Sequence, residues 1–509
     1  MPVAWSRWHR PSGPAWGGPA LGPNTLARNP NEWTTDVDLL TRRALLAQGA
    51  GLALAGALPA WGFAPSPAAE AFLDDLERRT FDFFWDTTDA RTGLAPDRWP
   101  TPSFASIAAV GFALSAYPVG VARGYITRAQ ARERTLTTLR FFAGLPQGPG
   151  RNGVAGHKGF FYHFLDMKEG LRFGRCELST VDTALLLMGA LHAQSFFDAD
   201  DADEARIRAL VDELYGRVDW AWAQVRPPSI GHGWTPEKGH IPNDWKGYNE
   251  ALMVYLLALG SPTRPVGAEA YGAWTSTYDA HSWGESQGQT LLRFPPLFGH
   301  QFTHCWVDFR GIRDAYMAAR GLDYFENSRR ATYAQQAYAA ANPLGWRGYS
   351  AEVWGISASD GPADITLPYA LPGGKTVRRR FISYAGRGMG LYDDGTLAPY
   401  AAGSSIAFAP EIVIPTLQAI KERHPHTWGR YGFWDAFNPS FNYPDVKLTH
   451  GRIEPGRGWV DTDMLGIDQG PLLAMLGNHR GELVWQVMRR NAHLVRGLKR
   501  AGFTGGWLG

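Results

Sequence analysis

Three acidic residues stand out by their setting. Asp182, Glu250 and Asp468 each lie near the start of an otherwise apolar run of strong helix formers. Asp182 lies in Glu177-Leu178-Ser179-Thr180-Val181-Asp182-Thr183-Ala184 and Asp468 in Gly466-Ile467-Asp468-Gln469-Gly470-Pro471. Glu250 closes the polar and aromatic loop Asn243-Asp244-Trp245-Lys246-Gly247-Tyr248-Asn249, and an apolar run then continues to Gly260. Each acid taken singly has a plain structural explanation. A carboxylate in the first helical turn is favoured by the backbone dipole. Ser179 or Thr180 would make Asp182 part of a capping box, and Pro471 assists helix initiation beside Asp468. Taken together the acids offer a different chemistry. Two carboxyls placed across a glycosidic bond, one protonated and one ionised, can act as acid and base in its hydrolysis.

That chemistry also needs aromatic platforms for the C–H faces of sugars and polar groups for their hydroxyls. Trp245, Tyr248 and Asn249 flank Glu250, and Gln469 follows Asp468. The segment 299–311 packs His300, Gln301, His304, Trp306, Asp308 and Arg310 into one short stretch. Asp393-Asp394-Gly395-Thr396 is a turn signal leading to Tyr400 and then Glu411. These are the candidate substrate contacts. His300 and His304 have the i, i+4 spacing of a zinc pair but lack a clear third ligand nearby; a polar sugar contact or a satisfied structural histidine remains open for both. No metal and no cofactor is expected. No phosphate loop, dinucleotide glycine fingerprint or Gly-x-Ser-x-Gly elbow occurs in the context it requires.

The elements that must position these groups are mostly helical. Near-helical apolar spacing marks 69–86, 106–122, 127–145, 179–197, 204–223, 250–259, 305–320, 324–341, 404–422, 467–476 and 482–501, with one further segment over 266–278. Strand-like alternation is confined to short pieces such as Lys375–Tyr384, which reads as hairpin decoration. The stretches 127–145 and 204–223 are amphipathic, as outer helices are, whereas 179–197, 250–259 and 467–476 are apolar nearly all round, as inner helices are. About twelve helices without a parallel-sheet rhythm imply an all-α fold of helix pairs closing into an α/α barrel. A solenoid is the alternative, but no fixed period supports it. Inner helices starting at one end of such a barrel would aim their acids into one cavity.

Composition agrees with a large core: 45% hydrophobic and 19% charged residues over 509. A net charge of +2 gives no electrostatic case for nucleic acid. Aromatic content is high, with 21 Trp, 19 Tyr and 26 Phe. Two cysteines, Cys176 and Cys305, allow at most one disulfide, and buried free thiols are the simpler reading. Near the start, Thr41-Arg42-Arg43-Ala44-Leu45-Leu46 opens a twin-arginine pattern with an apolar run to Leu58. At about 14 residues the run is too short to span a bilayer. Residues 1–67 therefore read as a leader with an export signal, an N-terminal membrane anchor being the alternative, and 68–509 as one catalytic domain, periplasmic or secreted, monomeric and without a membrane span in its mature form.

The ordered segments Leu178–Leu185, Tyr248-Asn249-Glu250, His300–His304 with Trp306–Gly311, Asp393–Thr396, Phe408–Pro415 and Gly466–Pro471 resemble the glucoamylase-like domain proteins, which include the bacterial β-1,2-glucanases of glycoside hydrolase family 144. The likeness runs from about Phe72 to about Phe503. It implies an (α/α)6 barrel and an anomer-inverting hydrolase of β-1,2-glucan. It further implies that Glu250 and Asp468 are the catalytic pair and that Asp182 lines the cleft. Related domains in cyclic glucan synthases transfer rather than hydrolyse, so transglycosylation, or action on another β-glucan, stays open, as does a non-catalytic carbohydrate-binding barrel.

Overall fold

The run Ile107–Ala122 has no polar face to offer water, and the computed structural model of the chain buries all of it from Ile107 to Gly120. The structure describes residues 64–509; the twin-arginine segment lies outside the described residues. Among those described, ten helices have nine residues or more. They are α1 Pro67–Thr87, α2 Ile107–Ala122, α3 Arg128–Gly144, α4 Thr180–Phe196, α5 Ala202–Gly216, α6 Leu252–Gly260, α7 Tyr324–Ala341, α8 Pro410–Arg423, α9 Gly466–His479 and α10 Ala492–Arg500.

Burial sorts them into two layers. α4 is buried from Thr180 to Ala193, and every residue of α6 is buried. α9 is buried except at its ends. These helices and α2 lie side by side in the order α6, α4, α2, α9, followed by the short helix Pro399–Gly403. Helices with a polar face back them: α10 packs on α6, α5 on α4, α3 on α2, and α1 on α2 and α9. The apolar runs thus shield one another while the amphipathic helices meet solvent.

The inner layer is drawn tight by glycines at its centre. A Cβ on Gly189 of α4 would fall 1.9 Å from the Gly111 carbonyl oxygen, and one on Gly111 of α2 would fall 2.3 Å from that of Leu185. Backbone meets backbone there, so no side chain can move aside. Gly189→Ala is expected to lower stability by about 1–3 kcal/mol or more, whereas Gly144→Ala, at the open end of α3, should change it by well under that. Thermal denaturation of both variants checks this, and equal effects would refute the close-packing account.

Among the described residues, strand structure is confined to two- and three-stranded pieces. The longest pairs Ile365–Ala370 with Thr376–Phe381, antiparallel, where alternation within Lys375–Tyr384 indicates a hairpin. Three two-residue strands have a larger consequence. Ala105–Ser106 leads directly into α2, Leu178–Ser179 into α4 and Met464–Leu465 into α9. Each pairs with a distant loop: Phe164–Leu165, Gly233–Thr235 and Arg98–Trp99 respectively. The helix starts are therefore clamped, with their loops, at fixed mutual positions.

Several helix boundaries differ from the sequence pattern. No helix covers 305–320; a 3-10 turn at Thr303–Cys305 and a short helix at Ala315–Ala318 replace it. Between them Gly311 adopts φ 75° and Asp308 is engaged by guanidinium groups, which stop the chain from winding on. The stretch 482–501 divides because Asn491 caps a new helix, accepting from the His493 and Leu494 amides. The stretch 204–223 divides after Gly216, and Pro410 starts α8 later than the pattern over 404–422 implies. No helix of the described residues is long and apolar enough to cross a membrane.

Candidate active site

The start of α4 is organised by Ser179, the N-cap, whose Oγ accepts from the Asp182 amide at 3.1 Å and donates to Asp182 Oδ2 at 2.5 Å. The other carboxylate oxygen, Oδ1, lies 3.4 Å from His163 Nε2. His163 in turn holds Glu177 through Nδ1 at 2.8 Å. Burial pulls the His163 pKa down, but Asp182 and Glu177 outweigh it and lift the imidazole to about 9. It is therefore a cation at neutral pH. Burial also raises the Asp182 pKa, against the pull of that imidazolium. The Asp182 side chain is thus tied to the cap that starts its helix and to a charged imidazole.

Glu250 stands one step outside its helix. The sequence pattern puts it in the first turn, but α6 begins at Leu252 with Ala251 as N-cap. The reason is the preceding residue: Asn249 Oδ1 accepts from the Ala251 amide at 2.9 Å and makes a turn there. The Glu250 side chain is 2% exposed, and neither carboxylate oxygen meets a donor on another residue. Burial, with Asp182 adding to it against the opposing backbone amide, pushes its pKa up to about 8. A carboxyl so placed carries its proton at neutral pH.

Asp468 is the third residue of α9 and lies against Asp435 and Tyr400. Burial holds its pKa above the usual carboxylate range, those two side chains oppose the rise, and Asp360 and Asp97 add to it. Asp97 also acts on His163. A continuous electrostatic run therefore joins Glu250 to Asp468 by way of Asp182, His163 and Asp97, residues distributed over most of the chain. Arg98 lies within this run, 2.7 Å from Asp360.

Sequence reasoning missed His163, Asp97, Arg98, Asp360 and Asp435. Asp435, a lone acid in the aromatic stretch Phe433-Trp434-Asp435-Ala436-Phe437, carried a signal of the kind that marked Glu250. The others sit in loops that only strand pairing brings to the helix starts.

The remaining candidates divide. Trp245 stacks on His232 with ring centroids 3.8 Å apart, and its Nε1 donates to Thr180 Oγ1 at 2.9 Å, tying the Glu250 loop to the start of α4. Tyr248 packs against His300, ring centroids 5.0 Å apart. His300 also lines a cavity of about 350 Å³ together with His281, Arg293, Phe294 and Gln335. Tyr400 donates to the Ala358 carbonyl at 2.6 Å beside Asp468. Other polar groups expected at substrate are used inside the protein. Gln301 donates to the Ala401 carbonyl and Ser405 Oγ, and Gln469 to the Phe433 carbonyl. His304 Nε2 meets Ser328 Oγ at 3.0 Å, and burial pushes both His300 and His304 down to about 3, so both are neutral. Trp306 donates to Ser115 and stacks on Phe112. Asp308 is clasped by Arg310 and Arg489, and Arg310 also reaches Glu482. Asp394 is clasped by Arg387, and Glu411 by Arg329 and Tyr333. These groups are hydrogen-bonded or ion-paired within the protein.

An acid kept protonated by burial and a second carboxyl within an acidic cluster can be compared with known proteins. Residues 242–492 match the family Glycoamylase, described as "Putative glucoamylase". Over that span the chain is similar to the glucoamylase-like proteins. It is 25% identical over 463 residues to an exo β-1,2-glucooligosaccharide sophorohydrolase (non-reducing end) of Parabacteroides distasonis, covering 85% of this chain and 58% of that protein. The chain thus spans less than two thirds of that relative's length. Among solved structures, a "putative glucoamylase" of Bacteroides uniformis shares 28% identity at a TM-score of 0.73, covering 88% of this chain and 100% of that one. An endo-β-1,2-glucanase of Chitinophaga pinensis, in complex with sophorotriose and glucose, shares 25% identity at a TM-score of 0.72, covering 87% of this chain and 100% of that one. Glu250, Asp435 and Asp468 fall inside the matched span, whereas Asp182 and His163 precede it.

Proposed function

We propose that this protein is a glycoside hydrolase cleaving β-1,2-glucan with inversion at the anomeric carbon. The observation that carries the reading is Glu250: a buried carboxyl without a donor partner on another residue, protonated at neutral pH. Glu250 gives its proton to the leaving oxygen. Asp468, paired with Asp435 and Tyr400, is the base that activates water, directly or through a hydroxyl relay. Asp182 lines the cleft and adds negative potential that helps Glu250 keep its proton. The β-1,2-glucan specificity of the relatives supports the substrate. The two layers of helices support an (α/α)6 toroid with its acids at one end. Export through the twin-arginine segment, removal of residues 1–67 and a monomeric 68–509 domain complete the proposal.

Linear β-1,2-glucan incubated with the purified mature chain is expected to give short β-1,2-linked products with the anomeric configuration inverted. Sizing the products separates endo from exo cleavage. Retained configuration, new longer chains, or binding without new reducing ends would reject the reading. The pH profile follows from the sign of the Glu250 shift. The acid is active while protonated, so turnover should fall about tenfold per unit above roughly pH 8. A rate that stays flat to pH 10 would remove Glu250 from that role.

A further inference from the structure

Beside Asp468 lies a second group of acids that the reaction above does not use as acid or base. Asp360 ends the strand Ala358–Asp360, Asp435 follows the strand Gly432–Phe433, and Asp461 follows Gly458–Val460. All three side chains are at most 1% exposed. Each commits one carboxylate oxygen to the protein. Asp360 Oδ2 accepts from Arg98 Nη1 at 2.7 Å, and Asp435 Oδ2 accepts from the Asp360 amide at 2.8 Å. Asp461 Oδ1 accepts from the Thr462 and Asp463 amides at 2.7 and 3.2 Å. Asp360 Oδ1 and Asp461 Oδ2 are buried and have no hydrogen-bond partner in the protein, and the Asp435 carboxyl lies against that of Asp468. Each residue offers one ligand oxygen such that the three atoms lie within 4.8 Å of one another.

Coulomb's law makes this arrangement costly by itself. Asp97, Asp463 and Asp468 crowd the same group, against the guanidinium of Arg98, while burial pushes the pKa of the nearby His450 imidazole down. Buried carboxylates this close cannot all ionise without a further positive charge. A mutual spacing below 4.8 Å lets the three oxygens share one cation. Oxygens on opposite sides of a calcium ion stand about 4.6–5.2 Å apart, twice the usual Ca–O length. An all-carboxylate set favours hard cations over zinc or copper.

We propose that Asp360, Asp435 and Asp461 form a binding site for a hard divalent cation of the calcium type. The ion would fasten three loops that are far apart in sequence, and through Asp435 it would brace the carboxyl of Asp468. The role is one of positioning, since none of the three ligands acts on substrate.

Mature protein stripped with EDTA and returned to metal-free buffer provides the test. Calcium at a hundredfold excess over its Kd should raise the melting temperature by about 3 °C, and EDTA should reverse the rise. Terbium should bind and luminesce on tryptophan excitation, since Trp459 lies two residues from Asp461. Asp461→Asn should cut terbium luminescence at least tenfold and abolish the calcium response. If that variant fails to fold, the wild-type melting and terbium measurements still decide. A wild type that ignores calcium, magnesium and terbium but gains stability on acidification would overturn the proposal, because the carboxyls would then hold shared protons. A response to zinc alone would overturn it as well.

Discussion

Glu250→Gln is expected to lower turnover of β-1,2-glucan about 10²–10⁴-fold, the usual contribution of a positioned general acid. The amide keeps the shape of the side chain but has no proton to give. Substrate affinity should change little, so the loss falls on kcat. The same variant carries a second, independent signature in stability. Between the ordinary carboxyl pKa of 4.5 and the value of about 8 in the folded chain, the folded state holds a proton that the unfolded state has released. Stability contributed by that group is complete below 4.5 and is lost as pH rises through 8. Wild type should therefore lose more stability between pH 5 and pH 9 than Glu250→Gln does, with the difference vanishing at acid pH. Melting curves of both proteins across this range measure it. A variant that keeps near-normal activity, or melts in parallel with wild type at every pH, would contradict the role and the protonation state respectively.

Asp394→Ala is expected to destabilise the chain by about 3–5 kcal/mol, or about 3–5 °C in melting temperature for a domain of this size. Its partner Arg387 is fully buried and donates through Nε and Nη2 to the two Asp394 oxygens at 2.8 and 3.0 Å. The same guanidinium donates to the Ser359 and Ile382 carbonyls. Without Asp394 it would remain as an uncompensated charge in the interior. Asp394 also accepts from the Ile382 and Thr396 amides, so its loss loosens two loops. If Asp394 instead touches sugar, the variant should melt normally and show a KM raised at least tenfold. That result would restore the residue to the cleft. The expected outcome is the reverse, with KM within about twofold of wild type once the protein is folded.

The sequence carried much of this architecture because burial is written locally. Ser179–Phe197, Glu250–Leu259 and Ile467–Leu476 are apolar all round, and α4, α6 and α9 are buried as that composition requires. Tyr324–Ala341 forms a helix over the span its pattern indicates, between the cap Asp323 and the left-handed Asn342. The pattern over 305–320 misled because Asp308 is paired with Arg489, 181 positions away, and no window along the chain registers such a bond.

The same distinction divides the site. That acids open the inner helices was legible from residue type and spacing. Which of them is paired and which is left alone was not. Asp308, Asp394 and Glu411 look as available in the sequence as Glu250, yet arginines clasp all three while the Glu250 carboxyl meets no donor on another residue. His163, Asp97 and Asp435 enter the site through two-residue strand pairings and loop contacts that have no periodicity to detect. Helix propensity and apolar patterning act over a few residues and can be read from the chain. The protonation of a carboxyl depends on every charge and donor within several ångströms, and only the folded chain decides which those are.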